Sequence, residues 1–124
     1  MADEITVTMS ITYAKGNVAS FSRALTAKKV TVSGNRYVLN IQNIGTSEEA
    51  LGIGELSAPL GWAWFHNLDD TNYVEIRLGT GASNDMIRLN AKEAALMRLG
   101  SDISAPYAIA NTAAVDLEYL IFPP

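Results

Sequence analysis

The sequence predicts an all-β protein, an antiparallel β-sandwich of about 8–10 short strands, for which a jelly roll is one candidate architecture. Residues 5–13 alternate strictly between apolar and polar side chains, as a half-buried strand does. Short runs of strand-forming residues then recur along the chain, and turns rich in Gly, Asn and Ser separate them. With 124 residues, we expect one domain spanning 1–124.

Four strands are predicted in the N-terminal third. The first, Glu4–Ala14, carries hydroxyl side chains on one face and large apolar side chains on the other. The others are expected at Val18–Leu25, Lys29–Val32 and Arg36–Ile44. A fifth segment, Glu48–Leu56, is interrupted by two glycines and predicts a short strand or a bulged edge.

The C-terminal part predicts strands at Asp85–Leu89, Pro106–Asn111 and Ala114–Phe122. Between them, Asn90–Gly100 has the pattern of a capped helix, with Glu93 three residues after Asn90. The same residues also alternate as a strand. Because the neighbouring segments are all short strands, we favour the strand and keep the helix as the alternative.

The stretch Gly61–Gly79 predicts a β-hairpin, because two strand-forming runs flank the polar bend Asn67–Asn72. If its two strands pair so that His66 lies opposite Tyr73, the tryptophans point away from the apolar face. A shift of one residue would instead place the tryptophans in the core. Both registers remain open at this point, so the tryptophans are either core residues or interface anchors.

Composition excludes several classes of function. The net charge is −4, and Lys28-Lys29 is the only adjacent basic pair, which argues against binding to nucleic acid or an anionic membrane. The absence of cysteine excludes disulfides and thiolate chemistry. Hydrophobic residues make up 48% and charged residues 18%, so we expect part of the surface to be buried in an assembly. No secretion signal or membrane span is predicted, so synthesis is expected in the cytoplasm.

No set of residues predicts catalysis, a metal site or a cofactor. His66 is the only histidine, and its spacing to Asp69-Asp70 fits metal ligation less well than ordinary turn chemistry. Glu48 and Glu49 are adjacent, so on a strand their carboxylates point to opposite faces and do not form a glycosidase pair. We therefore expect a protein that is not an enzyme.

Four stretches consist of turn and strand patterns without any catalytic motif: Ile44–Leu51 (IGTSEEAL), Phe65–Ile76 (FHNLDDTNYVEI), Leu89–Leu99 (LNAKEAALMRL) and Tyr107–Ile121 (YAIANTAAVDLEYLI). In these stretches the chain resembles a group of small structural proteins of tailed bacteriophages. In that family pattern a Gly-Glu turn precedes the segment that matches Lys92–Leu99. Here Lys92-Glu93 replaces that glycine, which keeps the helix alternative open.

The resemblance implies a virion component, made in the cytoplasm of a bacterial host. The role it implies first is a capsid decoration or cement protein, which binds the head shell in many copies and forms a homo-oligomer, with a trimer favoured. Its partner would be the major capsid protein or another virion protein. The alternatives are a tail- or fibre-associated component and a carbohydrate-binding module for host attachment, in which the aromatic side chains would stack on sugars.

The residues expected to contact the partner lie on the predicted hairpin and in a short N-terminal arm. They are Trp62, Trp64, Tyr73 and Arg77 on the hairpin, and Met1, Ala2, Asp3 and Glu4 in the arm.

Overall fold

The computed structural model describes residues 4–124, and within them the regular structure is almost entirely β-strand, which confirms the predicted fold class. A 3-10 turn at Ala82–Asn84 is the exception. The strands are β1 (Ile5–Lys15), β2 (Val18–Val30), β3 (Val38–Ile44), β4 (Glu49–Ala50), β5 (Trp62–Asn67), β6 (Val74–Arg77), β7 (Asp85–Leu89), β8 (Ala94–Arg98), β9 (Tyr107–Ala110) and β10 (Val115–Ile121).

The chain divides into two compact units, Met1–Ser33 and Gly34–Pro124. The first unit contains the two-stranded sheet β1-β2, and the second contains two four-stranded sheets. The two four-stranded sheets of the β-sandwich therefore lie within residues 34–124. The single domain expected over 1–124 stays a prediction.

The first unit is one long antiparallel hairpin. The sequence predicted separate strands at Val18–Leu25 and Lys29–Val32, but β2 runs through the first and ends at Val30 within the second, with an irregularity between them. At this irregularity Ala27 has a φ of 53°, and its amide donates to the Thr8 hydroxyl at 3.1 Å. A bulge of this kind adds a residue to one strand without ending the pairing, so two predicted strands are in fact one.

The second unit is a jelly roll. Its sheets have the strand orders β3-β10-β5-β8 and β4-β9-β6-β7, and every pairing in them is antiparallel. Successive strands β3 to β6 alternate between the sheets, and the returning strands β7 to β10 fill the remaining positions. This is the order that two interleaved Greek keys produce, and it confirms the jelly-roll candidate.

The core lies between the inward faces of these two sheets. Its largest fully buried side chains are Tyr119 and Phe65 from one sheet and Ile76 from the other. The Tyr119 hydroxyl lies 2.6 Å from the carbonyl oxygen of Gly52 and 3.0 Å from the side-chain oxygen of Gln42. The polar end of this buried tyrosine is therefore satisfied within the fold.

The prediction of a hairpin at Gly61–Gly79 is wrong. β5 pairs with β10 and β8, whereas β6 pairs with β7 and β9, so the two strands belong to different sheets. The polar segment between them crosses from one sheet to the other. Asn67 anchors this crossing, because its buried side-chain amide donates to the carbonyl oxygens of Asn72 and Leu89 at 2.9 and 3.1 Å.

The segment Asn90–Gly100 contains strand β8, so the strand interpretation is confirmed over the helix. Asn90 and Glu93 do make the contact that a capping box would contain: the backbone amide of Asn90 donates to the Glu93 carboxylate at 2.8 Å. Here the contact closes a turn in which Lys92 has a φ of 66°. Lys92 thus adopts the left-handed conformation that a glycine would adopt without strain.

Candidate functional site

The most distinctive surface in the described chain is the outward side of the sheet β3-β10-β5-β8, which we call the outer face. Phe65 and Ala63 of β5 point into the core, so the alternate residues Trp62, Trp64 and His66 point outward. The same alternation places further side chains on this face: Leu39 and Ile41 of β3, Leu96 and Arg98 of β8, and Glu118 and Leu120 of β10.

An apolar row crosses all four strands of the outer face. Leu120 lies opposite Leu39 on one side and opposite Trp64 on the other, and Trp64 in turn lies opposite Leu96. Leu39 is 60% exposed, while the other three side chains are half-buried. Four large apolar side chains in register on the outside of a sheet form an extended contact surface.

The middle of the outer face is aromatic with one acidic group. The Trp64 indole donates from Nε1 to Glu118 Oε1 at 3.1 Å. The His66 ring meets the Trp64 ring edge-on, with centroids 5.7 Å apart, and His66 Nδ1 lies 3.8 Å from the same carboxylate oxygen. These contacts fix the orientation of both rings, so the surface they present is preorganised.

Trp62 occupies one end of this face in a different environment. The guanidinium of Arg98, on the neighbouring strand, lies 5.6 Å from its ring centroid. Its Nε1 is buried, and it has no hydrogen-bond partner within residues 4–124. The two tryptophans therefore lie on the outside of the sheet, as in the first of the two registers, but half-buried among their neighbours.

The β3 edge of the outer face is an exposed patch, because β3 has a neighbouring strand on one side only. We call Tyr37, Leu39 and Ile41 the β3 patch; these side chains are 62, 60 and 55% exposed. The Tyr37 ring also packs near Phe122, with centroids 6.3 Å apart. Two exposed large apolar residues on an edge strand, with an exposed tyrosine immediately before it, are unusual on a protein that has no partner.

The structure does not bring Tyr73 and Arg77 to the tryptophans. Both belong to the region of β6, in the other sheet. The Tyr73 ring stacks with the guanidinium of Arg88, whose carbon lies 3.7 Å from the ring centroid. The two residues predicted with the tryptophans as one contact surface are therefore separated from them by the thickness of the sandwich.

Arg77 serves the fold. It donates from Nε to Asp85 and from Nη1 to Glu48, both at 2.6 Å, and its side chain is only 11% exposed. The Glu48 carboxylate also accepts from the Gly81 amide at 2.8 Å. The hydrogen bond from Arg77 and the one from Gly81 lower the pKa of Glu48 below its ordinary value. This cluster holds the β6–β7 loop closed.

The predicted N-terminal arm falls mostly outside the described residues, which begin at Glu4. Glu4 itself is exposed, and its carboxylate lies 3.4 Å from the amide of Val32. The contact role expected for Met1, Ala2, Asp3 and Glu4 stays a prediction.

In the loop after β5, the acidic side chain of Asp69 stabilises a turn. Asp69 accepts hydrogen bonds from the amides of Thr71 and Asn72 at 3.0 and 2.7 Å, and these bonds lower the pKa of its carboxyl group. Lys92 lies 3.0 Å from Asp70 and donates to the Leu68 carbonyl. From Glu4 to the C-terminus, no group of three or more acidic, histidine or cysteine side chains is placed to hold a metal ion.

Sequence reasoning missed the β3 patch as a contact surface. Tyr37, Leu39 and Ile41 alternate with polar Asn40 and Gln42, which normally places the apolar set in the core. In the structure the side-chain amides of Asn40 and Gln42 point inward instead. Both lie within hydrogen-bonding distance of the Tyr119 hydroxyl. No local pattern reports a buried tyrosine that needs polar partners from another strand.

The fold and this face together define a jelly-roll domain with an apolar, aromatic sheet surface. No family model matches the chain, and comparisons with curated proteins and with solved structures found no match. Among the described residues, no helix is long and apolar enough to cross a membrane.

Proposed function

We propose that this protein is a non-enzymatic structural protein of a phage virion, and that it decorates the capsid by binding a protein of the head shell in many copies. The observation that carries the binding role is the apolar row of the outer face, which runs across four strands without interruption. The virion setting is supported by the resemblance of four stretches of the chain to small phage structural proteins.

The tryptophan half of the outer face is the part proposed to contact the capsid. Trp62, Trp64 and Leu96 form a half-buried apolar surface, with Arg98 at its edge. Tryptophan and arginine are enriched among the residues that contribute most to binding, because they offer large area and a polar end. The contacts that hold Trp64 in place reduce the entropy lost on binding.

Binding in many copies suits a contact of this size. A decoration protein meets the same lattice site repeatedly, and an oligomer that engages two or three sites gains effective concentration at each additional one. A modest affinity at a single site is then sufficient for stable attachment to the particle.

The test is cosedimentation of the purified chain with phage heads that lack it. We expect the unmodified chain to pellet with the heads, and Trp64→Ala or Trp62→Ala to reduce binding at least about tenfold. Ile109→Ser is the matched control, since Ile109 lies half-buried on the outward side of the other sheet and should leave binding unchanged. Failure of the unmodified chain to pellet at saturating concentration would overturn the proposal.

A carbohydrate-binding module for host attachment is the second candidate. The observation that favours it is the position of the Glu118 carboxylate between two outward rings, since sugar sites combine a flat aromatic surface with a hydrogen-bond acceptor. A glycan array measures this directly. Saturable binding that Glu118→Ala abolishes would support it, and no binding across a broad array would remove it.

A further inference from the structure

The hairpin β1-β2 has one apolar and one polar face. In its register Met9 lies opposite Leu25, Ile11 opposite Arg23, and Tyr13 opposite Phe21. The opposite side is formed by small polar or short residues, with Thr12 facing Ser22 and Ser10 facing Ala24. We call the first set, Met9, Ile11, Tyr13, Phe21 and Leu25, the hairpin face.

The hairpin face is exposed along its length. Ile11 is 64% exposed and Phe21 52%, and the other three side chains are between 36 and 41% exposed. Tyr13 and Phe21 stack on each other with centroids 5.4 Å apart. A two-stranded hairpin with one apolar face is at best marginally stable in water, so this face needs a covering surface.

Charge divides between the two units of the chain. Met1–Ser33 contains four Lys/Arg and two Asp/Glu, a formal charge of +2, whereas Gly34–Pro124 contains five and eleven, a formal charge of −6. Two copies of the basic hairpin repel each other, while a basic hairpin and an acidic sandwich attract. Between two copies of the chain, charge complementarity therefore favours a contact of hairpin with sandwich over a contact of hairpin with hairpin.

The β3 patch matches the hairpin face in spacing as well as in chemistry. Met9, Ile11 and Tyr13 occupy three alternate positions of β1. Leu39 and Ile41 occupy alternate positions of β3, and Tyr37 precedes the strand by one residue with the same spacing in sequence. Neighbouring side chains of each set within a strand are about 6.6 Å apart. Acidic residues flank the patch: Glu118 lies opposite Ile41, and exposed Asp116 lies opposite Asn43.

We propose that the hairpin face of one copy docks on the β3 patch of another copy, so that the protein assembles by exchanging hairpins between neighbouring chains. Arg23, which lies on the hairpin face opposite Ile11, then faces the acidic groups beside the patch. The interface is heterologous, because two different surfaces meet, and repetition of the same contact around an axis closes a ring.

Disulfide trapping tests which surfaces meet, and the absence of native cysteine makes the result specific. A chain carrying Ile11→Cys is mixed with a differently tagged chain carrying Ile41→Cys, and the mixture is oxidised mildly. We expect the mixed disulfide to be the main product. Ile109→Cys replaces Ile41→Cys in the control and should give little product. A predominance of disulfides between two Ile11→Cys chains would show that hairpins pair with each other and would overturn the proposal.

Complementation between two defective variants tests the heterologous contact. Ile11→Ser with Phe21→Ser impairs the hairpin face, and Leu39→Ser with Ile41→Ser impairs the β3 patch. Each double variant should raise the dissociation constant for self-association at least about tenfold, measured by sedimentation. Their mixture retains one intact hairpin face and one intact patch, so it should form dimers that neither variant forms alone.

These measurements use purified protein without any particle, so they can fail independently of the capsid-binding proposal. Trp64→Ala, which lies outside both surfaces, should leave self-association unchanged. Circular dichroism of each variant shows whether it retains its strand content. A monomeric unmodified chain at high concentration, or a mixture of the two folded double variants that stays monomeric, would overturn the exchange of hairpins.

Discussion

Trp64 and Glu118 are joined across neighbouring strands by a hydrogen bond of 3.1 Å from the indole Nε1 to the carboxylate Oε1. Trp62, two residues earlier on the same strand, has a buried Nε1 without a partner in the described part of the chain. The same chemical group is thus satisfied in one tryptophan and unsatisfied in the other.

This difference predicts unequal effects of the same substitution. Trp64→Phe removes a satisfied donor and should lower the free energy of unfolding by about 1 kcal/mol beyond the loss of ring area. Trp62→Phe removes a donor that is buried without compensation, so its total cost should be smaller. Urea denaturation followed by circular dichroism measures both, and equal losses would contradict the assignment.

Substitution of Gly61 should cause a steric clash. A Cβ at this position would lie 2.5 Å from the carbonyl oxygen of Pro123 and 2.9 Å from the Cα of Pro124. Gly61→Ala should therefore cost about 1–3 kcal/mol, because the C-terminal backbone has to shift. Removal of Pro123 and Pro124 from the same variant should recover most of that loss. An undiminished loss in the shortened variant would show that crowding by these prolines is not the cause.

Replacement of Lys92 by glycine should not destabilise the protein and can stabilise it. Its φ of 66° is in the left-handed region, which costs a residue with a Cβ about 1 kcal/mol relative to glycine. The interactions it would lose, with Leu68 and Asp70, are at the surface and contribute little. Lys92→Gly should therefore be neutral or raise the melting temperature slightly. Lys92→Ala, which keeps the backbone strain and loses the same contacts, is the control and should lower it.

Protonation of Glu48 should lower the stability of the folded protein in acid. Because its folded pKa lies below its ordinary value of 4.5, the unfolded chain takes up the proton first. Its contribution is complete above that ordinary value and is lost as the pH falls through the folded pKa. Glu48→Gln should lower the melting temperature at neutral pH and reduce its further fall toward pH 3.

Glu55→Gln is the matched control for Glu48. Glu55 forms an ion pair with Arg36 in which both side chains are largely exposed, at 76 and 64%, so its removal should change little. An identical acid profile for Glu48→Gln and the unmodified chain would mean that the Arg77 cluster does not contribute to the pH dependence.

The alternation of side chains predicted which residues face the core better than it predicted which strands are neighbours. Phe65 and Val74 do point into the same core, as the first hairpin register required. They do so from opposite sheets, because both layers of a sandwich present apolar faces to one interior. Periodicity identifies the buried face of a strand but contains no information on its pairing partner.

The turn at Asn90–Glu93 shows a second limit of local pattern. A capping box and this turn use the same contact between a backbone amide and the Glu93 side chain, so the sequence signal is common to both. What separates them is the pairing of Ala95 and Met97 with residues of β5, more than 25 positions earlier in the chain. Such long-range pairing overrides helix propensity, and a local window does not include it.

The placement of both tryptophans on the outer face gives the molecule an intrinsic optical reporter. The interior aromatic side chains are Phe65 and Tyr119, and the chain contains only two tryptophans. Indole emission therefore responds to whatever covers that sheet, while far-ultraviolet circular dichroism follows the strand content of the fold. Contact at the surface and melting of the core can be observed separately in one unlabelled sample.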